Sequence, residues 1–194
     1  MKVVLAWLFS LAAAAQGVAG TLTGKVSSRA NDQSNAVVYA ERNPPERVVP
    51  PKEPLVLDQV NLTFVPHVLP VVVGTKVAFP NSDQVRHNVF SPSPAKRFNL
   101  GTYPRGLTRT VTFDKPGEVV LLCNVHAEMS AYVLVLGTDH FVVPGKDGGY
   151  ALKNLPPGKY NVTVWHEKFK SVIQAVEIKD NETVTLNFEL KGRK

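Results

Sequence analysis

At 194 residues the chain is long enough for one sizeable domain or two small ones. A single cysteine excludes an internal disulfide framework. The 22 Lys and Arg against 16 Asp and Glu (net +6) are scattered, with no basic run interleaved with aromatics of the kind that grips nucleic acid. Such a mildly cationic surface is mostly solvated, and where it selects a partner it favours an acidic face or an anionic surface.

The chain opens on Lys2 and then an apolar run, Val3 to Ala15, broken only by Ser10, with small residues through Gly20. Spanning a bilayer takes about 20 apolar residues, so this run is too short and reads as a secretory signal over residues 1–20. Val18 and Gly20 fit a cut after Gly20, with cuts after Ala15 or Ala19 as alternatives. No cysteine stands near the cut to carry a lipid anchor, so the expected product is exported, to the periplasm or beyond.

From Thr21 onward the chain reads as β almost throughout, in short β-branched runs separated by Gly, Pro, Asn and Asp. Residues 43–54 hold five prolines, which block ladder pairing and predict a stiff connector. Thr75 to Phe79 predicts a strand, and so does the alternation from Thr108 to Phe113. Val119 to Leu122 and Met129 to Val135 predict two buried strands, and a second boundary falls near Gly137-Thr138-Asp139. Beyond it come four strand-like runs, Tyr150 to Leu152, Lys159 to Trp165, Ser171 to Ile178 and Thr183 to Leu190.

Between the two buried strands lies Cys123-Asn-Val-His126-Ala-Glu-Met129, which holds the only cysteine and the only methionine besides Met1. A thiolate, an imidazole and a thioether thus share one short loop. The run Arg86-His87-Asn88-Val89-Phe90 can add a second imidazole from a separate loop. Two His and one Cys in a plane with a weak axial Met is the donor set of a mononuclear electron-transfer copper centre. The sulfur donors favour a soft ion, the chain offers no Cys-x-x-Cys pair for structural zinc, and copper outranks zinc at mixed N/S sites. Four protein donors leave no open position for substrate, and there is no Ser-His-Asp arrangement with supporting motifs. The expectation is electron transfer by a protein that is not an enzyme.

Residues 56–136 resemble the cupredoxins, the blue copper proteins. The resemblance rests on Phe64-Val65-Pro66, on Val73-Gly74-Thr75-Lys76-Val77-Ala78-Phe79, on His87-Asn88-Val89 and on Pro116-Gly117, in that order. The Cys-x-x-His-x-x-Met spacing is similar to the short ligand loop of the amicyanins. The resemblance implies an all-β Greek-key sandwich over residues 53–137 holding one type 1 copper ion. It implies His87, Cys123, His126 and Met129 as ligands and Asn88 as a brace for the ligand loop. Ala127 and Glu128 stand where amicyanins have Pro and Phe, so the apolar docking patch of that family does not carry over. The whole chain also looks like plastocyanin-like proteins labelled methylamine utilization proteins.

The run from Asp147 to Val164, with Leu155-Pro156-Pro157-Gly158 at its centre, resembles the carboxypeptidase regulatory-like (transthyretin-like) sandwich. That family's opening strands are missing just before residue 141 but match Gly24-Lys25-Val26 and Ala36-Val37-Val38-Tyr39. The expected organisation is therefore discontinuous, with residues 21–42 pairing with 138–192 and the copper domain inserted. The rival is two tandem domains with an extra N-terminal hairpin.

His67, His140 and His166 have no partner at ligand spacing and are expected to be ordinary surface or strand histidines. Tyr103 and Arg105 are candidates for the rim of the ligand loop. The leading functional expectation is a periplasmic one-electron carrier whose partner is a redox protein, such as a c-type cytochrome or a periplasmic dehydrogenase. The alternatives are a copper-binding or delivery protein without redox turnover, and an interaction module with a vestigial metal site.

Overall fold

Side chains along a strand alternate between two faces, and in this chain several strands are apolar on both. The computed structural model describes residues 17–29 and 33–192, so most of the expected signal, residues 1–16, lies outside the described residues. Strands β1 (Gly20–Ser28) and β2 (Val37–Asn43) come first. After the proline-rich connector come β3 (Leu55–Val56), β4 (Asp58–Val60), β5 (Thr63–Val65), β6 (Val68–Val72), β7 (Thr75–Pro80) and β8 (His87–Ser91). Next are β9 (Phe98–Tyr103), β10 (Thr108–Phe113), β11 (Gly117–Leu122) and β12 (Ser130–Leu136). The remainder is β13 (Phe141–Val142), β14 (Gly149–Leu155), β15 (Gly158–Trp165), β16 (Phe169–Lys170), β17 (Val172–Ile178), β18 (Thr183–Thr185) and β19 (Phe188–Gly192). Among the described residues there is no helix.

These strands form two sandwiches. In the first, the sheet β10-β7-β3 faces the sheet β6-β12-β11-β8-β9, with the small pair β4-β5 beside them. Its core gathers Leu57, Phe64, Val77, Phe79, Val89, Phe113, Leu121, Ala131 and Val133, all buried. In the second, the sheet β14-β1-β19-β16, with β18 also on β1, faces the sheet β13-β2-β15-β17. Its core gathers Leu22, Val38, Leu155, Tyr160, Val162, Val164, Ile178 and Phe188. The strands of residues 20–43 thus share both sheets with strands of residues 141–192, and the first sandwich lies between them in sequence. β1 runs antiparallel to β14 and parallel to β18 and β19, and β2 runs antiparallel to β15. Gly24 is needed in β1 because a Cβ there would lie 1.8 Å from the carbonyl oxygen of Leu186 on the neighbouring segment.

Period-two alternation also builds the contact between the sandwiches. Ala131, Val133 and Val135 of β12 point into the first core, which leaves Tyr132, Leu134 and Leu136 on the opposite face. On β2, Val38 and Ala40 enter the second core while Val37 and Tyr39 face outward. Trp165 stands on the face of β15 opposite Val164. These outward residues meet, with Val68 and Phe141, in a third apolar cluster between the two sandwiches. Each large apolar side chain buried this way stabilises the pair by about 1.5–3 kcal/mol. Trp165 Nε1–H also donates to Glu118 Oε2 across the junction at 2.9 Å.

Candidate metal centre

Antiparallel pairing of β11 with β12 ends at Leu122 opposite Ser130, so residues 123–129 form the closing loop. Cys123 sits at the exit of β11 and Met129 at the entrance of β12. His87 opens β8, which neighbours β11 in the same sheet, with Phe90 opposite Leu122. Register alone therefore brings His87 beside the ligand loop. The donor atoms of His87, Cys123 and His126 all lie within 4.8 Å of one another. The two Nδ1 atoms face each other at 3.0 Å, with the rings set 64° apart.

The surroundings fix how each donor presents itself. His87 is fully buried, and its Nε2–H donates to Asp83 Oδ2 at 3.0 Å, which leaves Nδ1 as the bare nitrogen aimed at His126. Asp83 is in turn held by the N–H groups of Leu62 (2.7 Å) and Gln84 (2.8 Å). The Leu62 amide first, and then His87, keep the Asp83 carboxyl below the ordinary carboxylate range. The Val125 N–H points at Cys123 Sγ from 3.4 Å. Cys123 is buried, whereas His126 is half-buried between the exposed residues Asn124, Val125, Ala127 and Glu128. Met129 is 1 % exposed, lies in the same apolar core as Cys123, and donates its N–H to His126 O at 3.1 Å.

These residues fit a copper ion. Metal–nitrogen bonds of about 2.0–2.1 Å place two neighbouring imidazole nitrogens roughly 3 Å apart, the separation seen between His87 and His126. Two facing imidazoles and a sheltered thiol, with a thioether in the same core, suit a soft ion better than calcium or magnesium, which take oxygen donors.

Two further residues that the sequence does not single out support the site. Asp83 is one; its only sequence signal is a carboxylate four residues before a candidate histidine ligand. Asn81 is the other. It is buried and shapes the loop into β8 by donating from Nδ2 to Val85 O and Tyr103 O and accepting the Asp83 N–H at Oδ1.

Two expectations need correction. Asn88 does not reach the ligand loop: its Nδ2 donates to Asn99 Oδ1 on β9 at 2.9 Å, and its buried Oδ1 has no partner. Tyr103 is not on the rim, because its position opposite His87 points it into the core, where it is 1 % exposed. Its O–H donates to Phe79 O, it accepts from Gln59 Nε2, and burial pushes its pKa up to about 12. His166, expected as a surface or strand histidine, directly follows β15 and is fully buried, with Nε2 on Ser34 O and Nδ1 accepting the Lys168 N–H. Arg105 is exposed and reaches Gln84 Oε1 at 2.8 Å. None of His67, His140 and His166 joins the cluster.

A family model described as carboxypeptidase regulatory-like domain matches residues 127–191. That span takes in β12, which pairs with β11 and β6, and leaves out β1 and β2, which complete the sheets of the second sandwich. Among solved structures, the chain is similar to a Cu-containing nitrite reductase from Thermus scotoductus SA-01, at 28% identity over 47% of this chain and 24% of that one, with a TM-score of 0.42. It therefore spans about a quarter of that reductase. It is similar to a purple cupredoxin from Nitrosopumilus maritimus at 23% identity over 42% of this chain and 99% of that one, TM-score 0.39. It is similar to amicyanin from Paracoccus versutus at 19% identity over 44% of this chain and 84% of that one, TM-score 0.41. A search of curated proteins finds no match. Among the described residues the fold is all-β, two sandwiches packed side by side.

Proposed function

We propose that this chain is an exported type 1 copper protein that carries single electrons between redox partners, with His87, Cys123, His126 and Met129 as the ligands. The observation that carries this reading is the convergence of two imidazole nitrogens and the one thiol within 4.8 Å at the end of a rigid sandwich. Copper, when bound, supplies reversible one-electron chemistry between Cu(I) and Cu(II).

The chain's own residues supply the rest. Asp83 holds His87 in a single tautomer, the Val125 N–H orients the Cys123 sulfur, and the β11–β12 pairing fixes the two ends of the ligand loop. Pre-formed donors hung from strands rearrange little between oxidation states. His126 is the donor nearest solvent and offers the exit for an electron, since His87, Cys123 and Met129 are all buried. With four donors from the chain, the centre keeps no position for a substrate, and we assign no catalytic reaction.

The partner is a redox protein such as a c-type cytochrome or a periplasmic dehydrogenase. Exposed aliphatic side chains lie on the loops at this end: Leu62 (40 %), Val85 (43 %), Leu107 (48 %) and Val125 (47 %). Arg86 donates to Thr102 O and Arg105 to Gln84 Oε1, and among the described residues neither forms an ion pair. A small apolar patch flanked by free cations supports brief docking against an acidic surface.

Copper titration of the purified protein tests the assignment. The expected result is an intense visible thiolate-to-copper band that cycles with ferricyanide and ascorbate and vanishes in Cys123→Ser. Uptake of copper without reversible cycling would instead make the protein a delivery factor, and no band at all would sink both readings.

A further inference from the structure

Strand β12 is a wall common to both sandwiches, and the ligand loop hangs from its first residue. Three groups from outside the ligand loop grip that end. The Tyr132 N–H donates to His67 O at 2.8 Å. The His67 ring lies with Nδ1 3.0 Å from Ser130 O, the carbonyl that directly follows Met129. The other ring nitrogen, Nε2, lies 2.9 Å from Glu167 Oε2, and Glu167 belongs to the turn after β15 in the second sandwich. The Glu167 side chain is 12 % exposed and that of His67 33 %, so water competes little for the carboxylate. The imidazole thus sits between two acceptors, the Ser130 carbonyl and the Glu167 carboxylate, each within hydrogen-bond distance of one ring nitrogen. Tyr132 packs edge-on against His67 at 5.7 Å, which confines the imidazole.

From this chain of contacts we propose that the second sandwich acts as a brace for the metal centre. Glu167 holds His67, His67 holds the Ser130 carbonyl, and the Met129 end of the ligand loop is thereby fixed. His67 and Glu167 are positioning residues, and this role rests on the assignment of Met129 as a ligand. A purely adhesive interface would need only the apolar cluster around Trp165, Leu134 and Leu136. It would not need a hydrogen-bonded relay from Glu167 through His67 that ends one residue from Met129. The other polar cross-link, Trp165 to Glu118, grips β11 at the far end, where Glu118 pairs with Leu134, and so serves as an internal control.

The test uses the full exported chain as wild type, Glu167→Ala, Glu167→Gln and Trp165→Phe. Amide exchange at Met129 and Tyr132 is read in the metal-free protein, and the thiolate-to-copper band and reduction potential in the loaded protein. Loss of a charge-assisted hydrogen bond is expected to speed exchange at Met129 about tenfold in Glu167→Ala. The same variant should shift the potential and the band. Glu167→Gln, which keeps an acceptor oxygen, should restore most of both, and Trp165→Phe should leave Met129 exchange unchanged. Unaltered exchange and spectrum in Glu167→Ala would overturn the proposal, as would an equal effect of Trp165→Phe, which would reveal general loosening. If the wild type takes up no copper while Met129 exchange still responds to Glu167→Ala, the brace stands and the copper assignment fails.

Discussion

Replacing Asp83 with alanine should damage the metal centre more than its position on an exposed loop would indicate. The carboxylate accepts from Leu62 N–H, Gln84 N–H and His87 Nε2–H. The first two donors sit at exposed positions, so water replaces the lost bonds at little cost. His87 is 0 % exposed, so its Nε2–H is left without a partner inside the protein. A buried orphaned donor costs about 1–3 kcal/mol, and removing the group that orients a metal-binding histidine costs about 10–100-fold in metal affinity. The loss arises because the ring can then rotate or change tautomer, which withdraws the bare Nδ1 from Cys123 and His126. Competition of copper between the protein and a chelator measures the affinity, and denaturant unfolding of the metal-free chain measures the stability. Asp83→Asn, which retains one acceptor oxygen, should fall between wild type and Asp83→Ala. An alanine variant that binds copper as tightly as wild type would show that packing alone orients His87, and the reasoning would be wrong.

Trp165→Ala removes a 5 % exposed indole and its bond to Glu118, and should cost about 3–5 kcal/mol. Calorimetry should then resolve two unfolding transitions, because the apolar cluster between the sandwiches is what couples them. Burial pushes the Tyr150 pKa up to about 12 from an ordinary 10.0, and its O–H donates to Leu186 O at 2.6 Å. The folded state thus keeps the phenol protonated where the unfolded chain ionises it. That stabilisation is complete below pH 10 and is lost as the pH rises toward about 12. Denaturant midpoints of Tyr150→Phe should be lower than wild type at pH 8, and the gap should close across that alkaline window. Charge reversal of Arg86 and Arg105 to Glu should slow association with an acidic redox partner about tenfold or more at low salt while leaving the reduction potential in place. Stopped-flow rates against ionic strength report this, and unchanged rates would move the docking face elsewhere.

The donor loop was legible because its chemistry is local. Cys123, His126 and Met129 fall between two runs whose composition already predicts buried strands, and a tight loop keeps donors three residues apart near one point. His87 was legible through its place beside Asn88 and Val89 after the strand at Thr75 to Phe79. The strand register then brings its Nδ1 to His126. Misplaced residues share a different cause. Asn88 and Tyr103 both have side chains whose direction depends on strand pairing. A shift of one residue in register would exchange core for solvent, and nothing in the sequence states that register. Asp83 was missed because an acid four residues from a histidine is common on any loop. Only the turn held by Asn81 swings its carboxylate onto Nε2.

Residue type and spacing within a few positions were enough to dictate the β class, the proline connector and where candidate donors would gather. Long-range packing had to settle that β1 lies between β14 and β19, that β12 serves both sandwiches, and that Glu167 reaches Ser130 through His67. Such contacts join residues 100 positions apart, as from His67 to Glu167. Where both faces of a strand are apolar, as in β12, only the folded chain selects which neighbour covers each.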